Sequence, residues 1–188
     1  MEQVVTKHKI PIAVKQMMGE FTLFKNVQFI YELALTKMEL ESFGVCYQID
    51  SGMRYFHALN AFDENAALKR TAYFEKINGK NTDYSAITRR NRTRSVNQYL
   101  THWIYPYKGK FHPQMIRALL NIIGATSGNT ILDPFIGSGT TALEAQLLGI
   151  NCIGIDVSPL CILQSKVKTE SIYVINELKK LRGSILWN

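Results

Sequence analysis

Two carboxylates and two glycines, closely spaced in the second half of the chain, carry the clearest chemical signal. Asp133 opens the run Asp133-Pro134-Phe135-Ile136-Gly137-Ser138-Gly139-Thr140-Thr141, and Asp156 follows Asp133 by 23 positions. Glycines in such a loop let the backbone approach a ligand closely, because they carry no Cβ and accept positive φ. Three ligand classes compete for it. A P-loop would place a lysine directly after its last glycine, whereas Thr140 stands there, so Walker-type ATP or GTP binding drops out. The dinucleotide spacing GxGxxG/A is met by Gly137, Gly139 and Ala142, and Asp156 lies 17 residues past Gly139, near the place of a ribose-binding acid. Asp133 disfavours a dinucleotide, since a carboxylate beside the loop would repel a pyrophosphate in a partly desolvated site. The same carboxylate suits a ligand presenting an ammonium and a sulfonium, as S-adenosylmethionine does, with Asp156 accepting hydrogen bonds from the ribose hydroxyls.

A loop of this kind must be held between a strand and a helix. Thr130-Ile131-Leu132 is β-branched and apolar, ends at Asp133, and predicts the strand. Ala142 to Leu148 predicts the helix, capped by Gly149. Cys152-Ile153-Gly154-Ile155 predicts a second strand ending at Asp156, and Ser158-Pro159 starts a further helix through Lys168. Upstream, Pro113 to Ile123 reads as a helix, followed by a turn at Ser127-Gly128-Asn129. The order β-loop-α-β-α is half of a nucleotide-binding sheet.

The run from Asp133 to Thr141 resembles the DPFxGSGTT cofactor motif of the DNA methyltransferases that modify exocyclic amino groups, N6 of adenine or N4 of cytosine. Gly154-Ile155-Asp156-Val157-Ser158-Pro159 resembles that family's second-strand motif. Tyr105-Pro106-Tyr107-Lys108-Gly109-Lys110-Phe111-His112-Pro113-Gln114 resembles its upstream HPYPAKFxPQ-like segment, with His102, Lys108 and Gly109 departing from or only loosely fitting the pattern. Together the three pieces span Thr101 to Lys168. The resemblance implies a Rossmann-like, S-adenosylmethionine-dependent methyltransferase fold. It implies a cofactor site of Lys110, Phe111, Asp133, Pro134, Phe135, Gly137, Ser138, Gly139, Thr140, Asp156, Val157 and Ser158, with Lys110 meeting the cofactor's carboxylate and Phe111 its apolar chain.

That family performs its chemistry with a second motif, a proline pair preceded by Asp, Asn or Ser and followed by an aromatic residue, which holds the target amino group and stacks on a flipped base. The five prolines here, Pro11, Pro106, Pro113, Pro134 and Pro159, are nowhere adjacent. No catalytic residue is therefore assigned to this chain. Two parallel strands alone would leave an open edge and an uncovered apolar face. The resulting expectation is the cofactor-binding part of an amino-group DNA methyltransferase, an incomplete α/β fold that is inactive alone. A second methyltransferase subunit carrying the proline-pair motif is its expected partner, a fragment of a longer chain being the other reading. An RNA amino-methyltransferase component and a non-catalytic DNA-binding or assembly subunit are the alternatives.

Residues 1–94 read as a small mixed α/β accessory module and residues 95–188 as the cofactor-binding half. In the first, apolar residues recur at helical spacing from Phe24 to Phe43 (Val27, Ile30, Tyr31, Leu33, Ala34, Met38), with Gly44 as the stop. Phe62 to Ile77 predicts another helix, Asp63 its N-cap and Asn78-Gly79 its end. Val45 to Ile49 and Met53 to Leu59 predict strands joined by Asp50-Ser51-Gly52, and Ser171 to Leu181 a last helix. The chain carries 22 Lys and Arg against 15 acids, a formal charge of +7 that favours a polyanionic partner such as DNA. Arg89, Arg90, Arg92 and Arg94 concentrate that charge and could neutralise backbone phosphates. Cys46, Cys152 and Cys161 form no CxxC pair, read as ordinary buried thiols, and suggest neither a disulfide framework nor a metal site. With no apolar run of roughly 18 residues and no basic-then-apolar start, the expected location is cytoplasmic.

Overall fold

The computed structural model describes residues 17–90 and 97–185. The first part is built on a five-stranded antiparallel sheet of β1 (Gly19–Leu23), β2 (Tyr47–Ile49), β3 (Tyr55–Ala58), β4 (Phe74–Ile77) and β5 (Lys80–Asn81), in the order β2-β3-β1-β4-β5. Three helices accompany it, α1 (Ile30–Ser42), α2 (Glu64–Arg70) and α3 (Asp83–Arg90). Alternation along β1 buries Phe21 and Leu23, and Phe74 meets both Phe21 and Phe56 edge-on in the core. The β2–β3 hairpin forms as the sequence predicts, because the Asp50 carboxylate accepts from the N–H groups of Gly52, Arg54 and Tyr55 and closes the turn.

Three expectations are corrected. The helix predicted from Phe24 begins only at Ile30, where the Glu32 carboxylate accepts from the N–H groups of Gln28 and Phe29 at 2.8 and 3.0 Å and fixes the first turn. Its buried face is Glu32, Thr36, Glu39 and Leu40, with Leu33 half-buried beside it, while Ile30, Tyr31 and Met38 are exposed, so half of the apolar spacing falls on the outer face. The helix predicted over 62–77 stops at Arg70. Asp63 caps it as expected, accepting from the Ala66 N–H at 2.9 Å, but the aromatic residues that follow pair as β4 with β1, and Asn78-Gly79 forms the β4–β5 turn with φ of 49° and 77°. Cys46 is exposed rather than buried.

The second part contains α4 (Pro113–Ile122), β6 (Thr130–Asp133), α5 (Thr140–Leu147), β7 (Asn151–Gly154), α6 (Pro159–Glu170) and α7 (Ile175–Ile185). The last begins later than predicted, after a turn over 171–174. β6 and β7 pair in parallel, with Leu132 opposite Ile153 and Asp133 opposite Gly154. One face of this pair packs on α4 and α5 through Ile116, Leu120, Ala145, Leu148, Ile131 and Cys152. The other face presents Leu132 and Ile153 to solvent.

A belt of buried polar contacts joins the two parts. Asn121 donates to Glu39 at 2.7 Å, Gln114 to the Ala72 carbonyl at 2.9 Å, and Arg117 to the carbonyls of Arg70 and Lys69. Burial raises the Glu39 carboxyl above its ordinary range, and the hydrogen bonds from Asn121, Ala72 and Thr71 oppose that rise. No described helix is long and apolar enough to cross a membrane.

Candidate functional site

At the C-terminal ends of β6 and β7 lies a cavity of about 420 Å³, where a parallel sheet with helical crossovers leaves room for a ligand. Its wall takes residues from the β6–α5 loop (Pro134, Phe135, Ile136, Gly137, Ser138), the first turn of α5 (Thr140, Thr141), the end of β7 (Ile155, Asp156, Val157) and the segment before α4 (Tyr107, Gly109, Lys110, Phe111). The three motif segments, dispersed over about 50 residues of sequence, therefore converge on one hollow.

The loop holds its shape through Asp156. Its carboxylate accepts from the Gly137 N–H at 2.9 Å and from the Ser158 N–H at 2.8 Å, and these bonds hold its pKa below the usual carboxylate range. Gly137 sits at φ 51° and Gly139 at φ 79°. A Cβ on Gly139 would meet the backbone and side chain of Ser165 at 2.8 Å, so this glycine lets α6 press against the loop. Ser165 in turn donates to the Gly137 carbonyl at 3.0 Å.

Of the twelve predicted cofactor residues, nine line the cavity: Lys110, Phe111, Pro134, Phe135, Gly137, Ser138, Thr140, Asp156 and Val157. Asp133, Gly139 and Ser158 stand just outside the wall. Asp133 shapes the loop by accepting from the Phe135 N–H at 3.0 Å, and Ser158 precedes α6 while donating its N–H to Asp156. Tyr107 belongs to the site although sequence reasoning gave it no role. Its ring lies against Gly137 and its hydroxyl is 3.8 Å from the Cys161 sulfur, a contact that raises the phenol pKa. Its position two residues before Gly109 was the available signal.

The lining fits the ligand expected. The Ser138 and Thr140 hydroxyls are buried and have no hydrogen-bond partner among the described residues, which leaves two donors for a ligand to meet. Asp156 offers acceptors, Lys110 an ammonium, and Phe111, Phe135 and Val157 apolar surface. This set suits a molecule that combines ribose hydroxyls, a carboxylate and a flat apolar ring, within a volume typical of a small-molecule site.

Behind the site, Glu144 on α5 is fully buried and receives the Tyr99 hydroxyl, His102 Nε2 at 2.8 Å and Arg117 Nη1 at 3.5 Å. Burial holds His102 below its ordinary pKa. Of the predicted nucleic-acid residues, Arg89 and Arg90 close α3. Arg89 pairs with Glu75, Arg90 is exposed, and Arg92 and Arg94 lie outside the described residues.

Residues 18–166 match the N6/N4 methyltransferase family, described as DNA methylase. The chain is 40% identical over 116 residues to the type II methyltransferase M.MjaII of Methanocaldococcus jannaschii, covering 60% of this chain and 21% of that protein. It is 43% identical over 86 residues to the type II methyltransferase M.BsoBI of Geobacillus stearothermophilus, covering 46% and 15%. Over 51 residues it is 39% identical to the tRNA (guanine(10)-N2)-dimethyltransferase of Methanothermobacter thermautotrophicus, covering 27% and 15%. The chain thus spans only about a fifth or less of the length of these relatives.

Proposed function

The chain belongs to the N6/N4 DNA methylase family, and from that premise we propose that it is the S-adenosylmethionine-binding part of a site-specific DNA methyltransferase acting on the exocyclic amino group of adenine (N6) or cytosine (N4). The observation that carries this reading is the cavity itself, where Lys110, Phe111, the Gly137–Thr140 loop and Asp156 stand around two hydroxyls that have no partner among the described residues. When bound, S-adenosylmethionine supplies a sulfonium-activated methyl group for in-line attack by an amino nitrogen. Asp156 accepts from the ribose hydroxyls. Lys110 offers its ammonium to the carboxylate end, and Phe111 and Phe135 exclude water from the apolar parts. Positioning is the whole contribution of this chain, since none of its prolines forms the pair that would hold a flipped base. A partner chain carrying that motif supplies the target-binding half and completes the sheet. The bare Leu132–Ile153 face supports this part of the reading.

Calorimetric titration of the assembly tests the assignment. Asp156→Ala should weaken S-adenosylmethionine binding by about tenfold or more, the cost of a lost charge-assisted contact, and NAD binding of equal or greater strength would sink it. The likeness to a tRNA dimethyltransferase favours a second reading, an RNA amino-methyltransferase component. Labelled methyl transfer offered DNA and RNA side by side separates the two. Full activity of the assembly after Asp156→Ala would instead indicate a non-catalytic assembly subunit.

A further inference from the structure

Beside α6 lies a second hollow, about 210 Å³ in volume, that shares no lining residue with the cavity at the ends of β6 and β7. Leu160, Leu163 and Val167 stand at helical spacing on one face of α6. With Ile104 and Tyr105 from the segment before α4 they form an apolar rim, and all five are exposed. Beneath the rim the lining is polar. Gln164 and Lys168, 8% and 3% exposed, belong to the same hollow. Neither the Lys168 ammonium nor either amide atom of Gln164 has a hydrogen-bond partner among the described residues. The backbone there is held, since Thr101 donates to the Lys168 carbonyl at 3.1 Å, so it is the side chains that go unanswered. Glu144, the fully buried carboxylate on α5, is already engaged by His102, Tyr99 and Arg117.

A buried ammonium without an anion, beside an amide without a partner, is among the costlier arrangements a fold can hold. Size and chemistry decide what could answer it. The hollow is smaller than the roughly 300 Å³ at which small-molecule sites begin, and it suits a side chain or two of a docking segment. Its aliphatic rim matches the apolar core of a protein interface and offers nothing to a phosphate backbone. A second copy of this chain, docked isologously, would bring Lys168 against Lys168. We infer that the hollow seats a segment of the companion polypeptide that combines an apolar anchor with a carboxylate. The anchor packs on Leu160, Leu163 and Val167, the carboxylate pairs with Lys168, and Gln164 hydrogen-bonds the segment's polar atoms. The inference rests on the reading that a companion completes this enzyme. It adds to that reading a second contact, apart from the Leu132–Ile153 face, that selects an acidic and apolar partner.

Affinity measurements on the assembly of chain and companion test it. Lys168→Met should weaken the complex by about thirtyfold or more, chiefly through faster dissociation, and Lys168→Arg should keep most of the affinity. Leu163→Asp, on the exposed rim, should also weaken it by setting a charge against the apolar anchor. Lys168→Glu should break the complex, and replacing the companion's Asp and Glu residues by Lys one at a time should yield one variant that restores it. Failure of the unaltered chains to form a complex would bring down the two-part reading itself. A complex weakened by Leu132→Asp but indifferent to Lys168→Met and Leu163→Asp would leave that reading standing and overturn this inference. Restoration by no companion variant, or by an acid-to-lysine change in a second copy of this chain, would overturn the occupant named here. A lower Tm of the isolated chain with Lys168→Met, matching the loss of affinity, would mark a merely structural lysine and would also overturn it.

Discussion

Gly139 shows how a single missing Cβ sets the site. It takes a left-handed φ of 79° and leaves only 2.8 Å between a notional Cβ and the Ser165 backbone. Gly139→Ala must therefore push α6 from the loop and strain the backbone, at a cost of about 2–4 kcal/mol, and the Ser165 bond to Gly137 should be lost with it. Thermal melts should show the destabilisation, and cofactor titration a matching loss of affinity. An alanine variant with unchanged Tm would show that the loop and α6 are less tightly packed than the geometry requires. Lys168 makes the opposite case, a residue that weakens the fold where it stands. Its folded pKa of about 8 lies below the usual lysine value of 10.5, so the fold favours the neutral amine. Stability associated with this group is present above pH 10.5 and is lost as pH falls through 8. Lys168→Met should accordingly raise Tm by several degrees at pH 7, and the difference should close between pH 8 and 10.5. A constant difference across that range would show that the gain came from packing alone.

At the scale of elements, the legible parts were those whose determinants are local. The β6–loop–α5 unit could be read because strand, turn and helix start lie within about a dozen residues, and both glycines needed positive φ. The β2–β3 hairpin was legible for the same reason, through Asp50. α1 was misread because its inner face is polar: Glu39 is buried to meet Thr71, Ala72 and Asn121, the last 82 positions away, and no local periodicity encodes that demand. β4 reads as helix from the sequence because Phe74–Ile77 is short and is separated from a true helix by three residues, and the Asn78-Gly79 turn beyond it resembles a helix end as much as a hairpin. The cluster about Glu144 had no sequence signal, its partners Tyr99 and His102 lying 45 and 42 positions away. The basic segment that begins in the last turn of α3 remains a proposal with a clear test. Replacing Arg89, Arg90, Arg92 and Arg94 by Gln should weaken DNA binding across sequences and reduce the salt slope by about 0.9 per lost phosphate contact. Arg89→Gln alone should do least, because Glu75 already shares that guanidinium. An unchanged slope would assign the segment to a linker.

For the whole molecule the decisive contrast is between its two sheets. The five-stranded sheet encloses its own core of Phe21, Phe56, Phe74 and Ile77 and is fastened to α4 by the belt through Glu39, Asn121 and Arg117. The two-stranded sheet that carries the cavity is covered on one face only among the described residues. Leu132 and Ile153 face solvent on the other, Ile155 and Val157 are exposed beyond the end of β7, and the outer edges of β6 and β7 are unpaired in the described residues. Parallel strands are stable when buried on both faces, so on the proposed two-part reading this half gains further apolar contacts when additional strands and helices dock on it. The expected outcome is that the chain by itself self-associates or melts at modest temperature and transfers no labelled methyl group to DNA. With a partner carrying the proline-pair motif it should form a stable complex that methylates. Within that complex Leu132→Asp, on the docking face and away from the cavity wall, should impair assembly while cofactor affinity of whatever complex remains is unchanged. Gly137→Asp should do the reverse, leaving assembly intact and abolishing cofactor binding. Robust methylation by the chain alone would show that some segment of it replaces the missing half, and would end the two-part reading at the level of the whole enzyme.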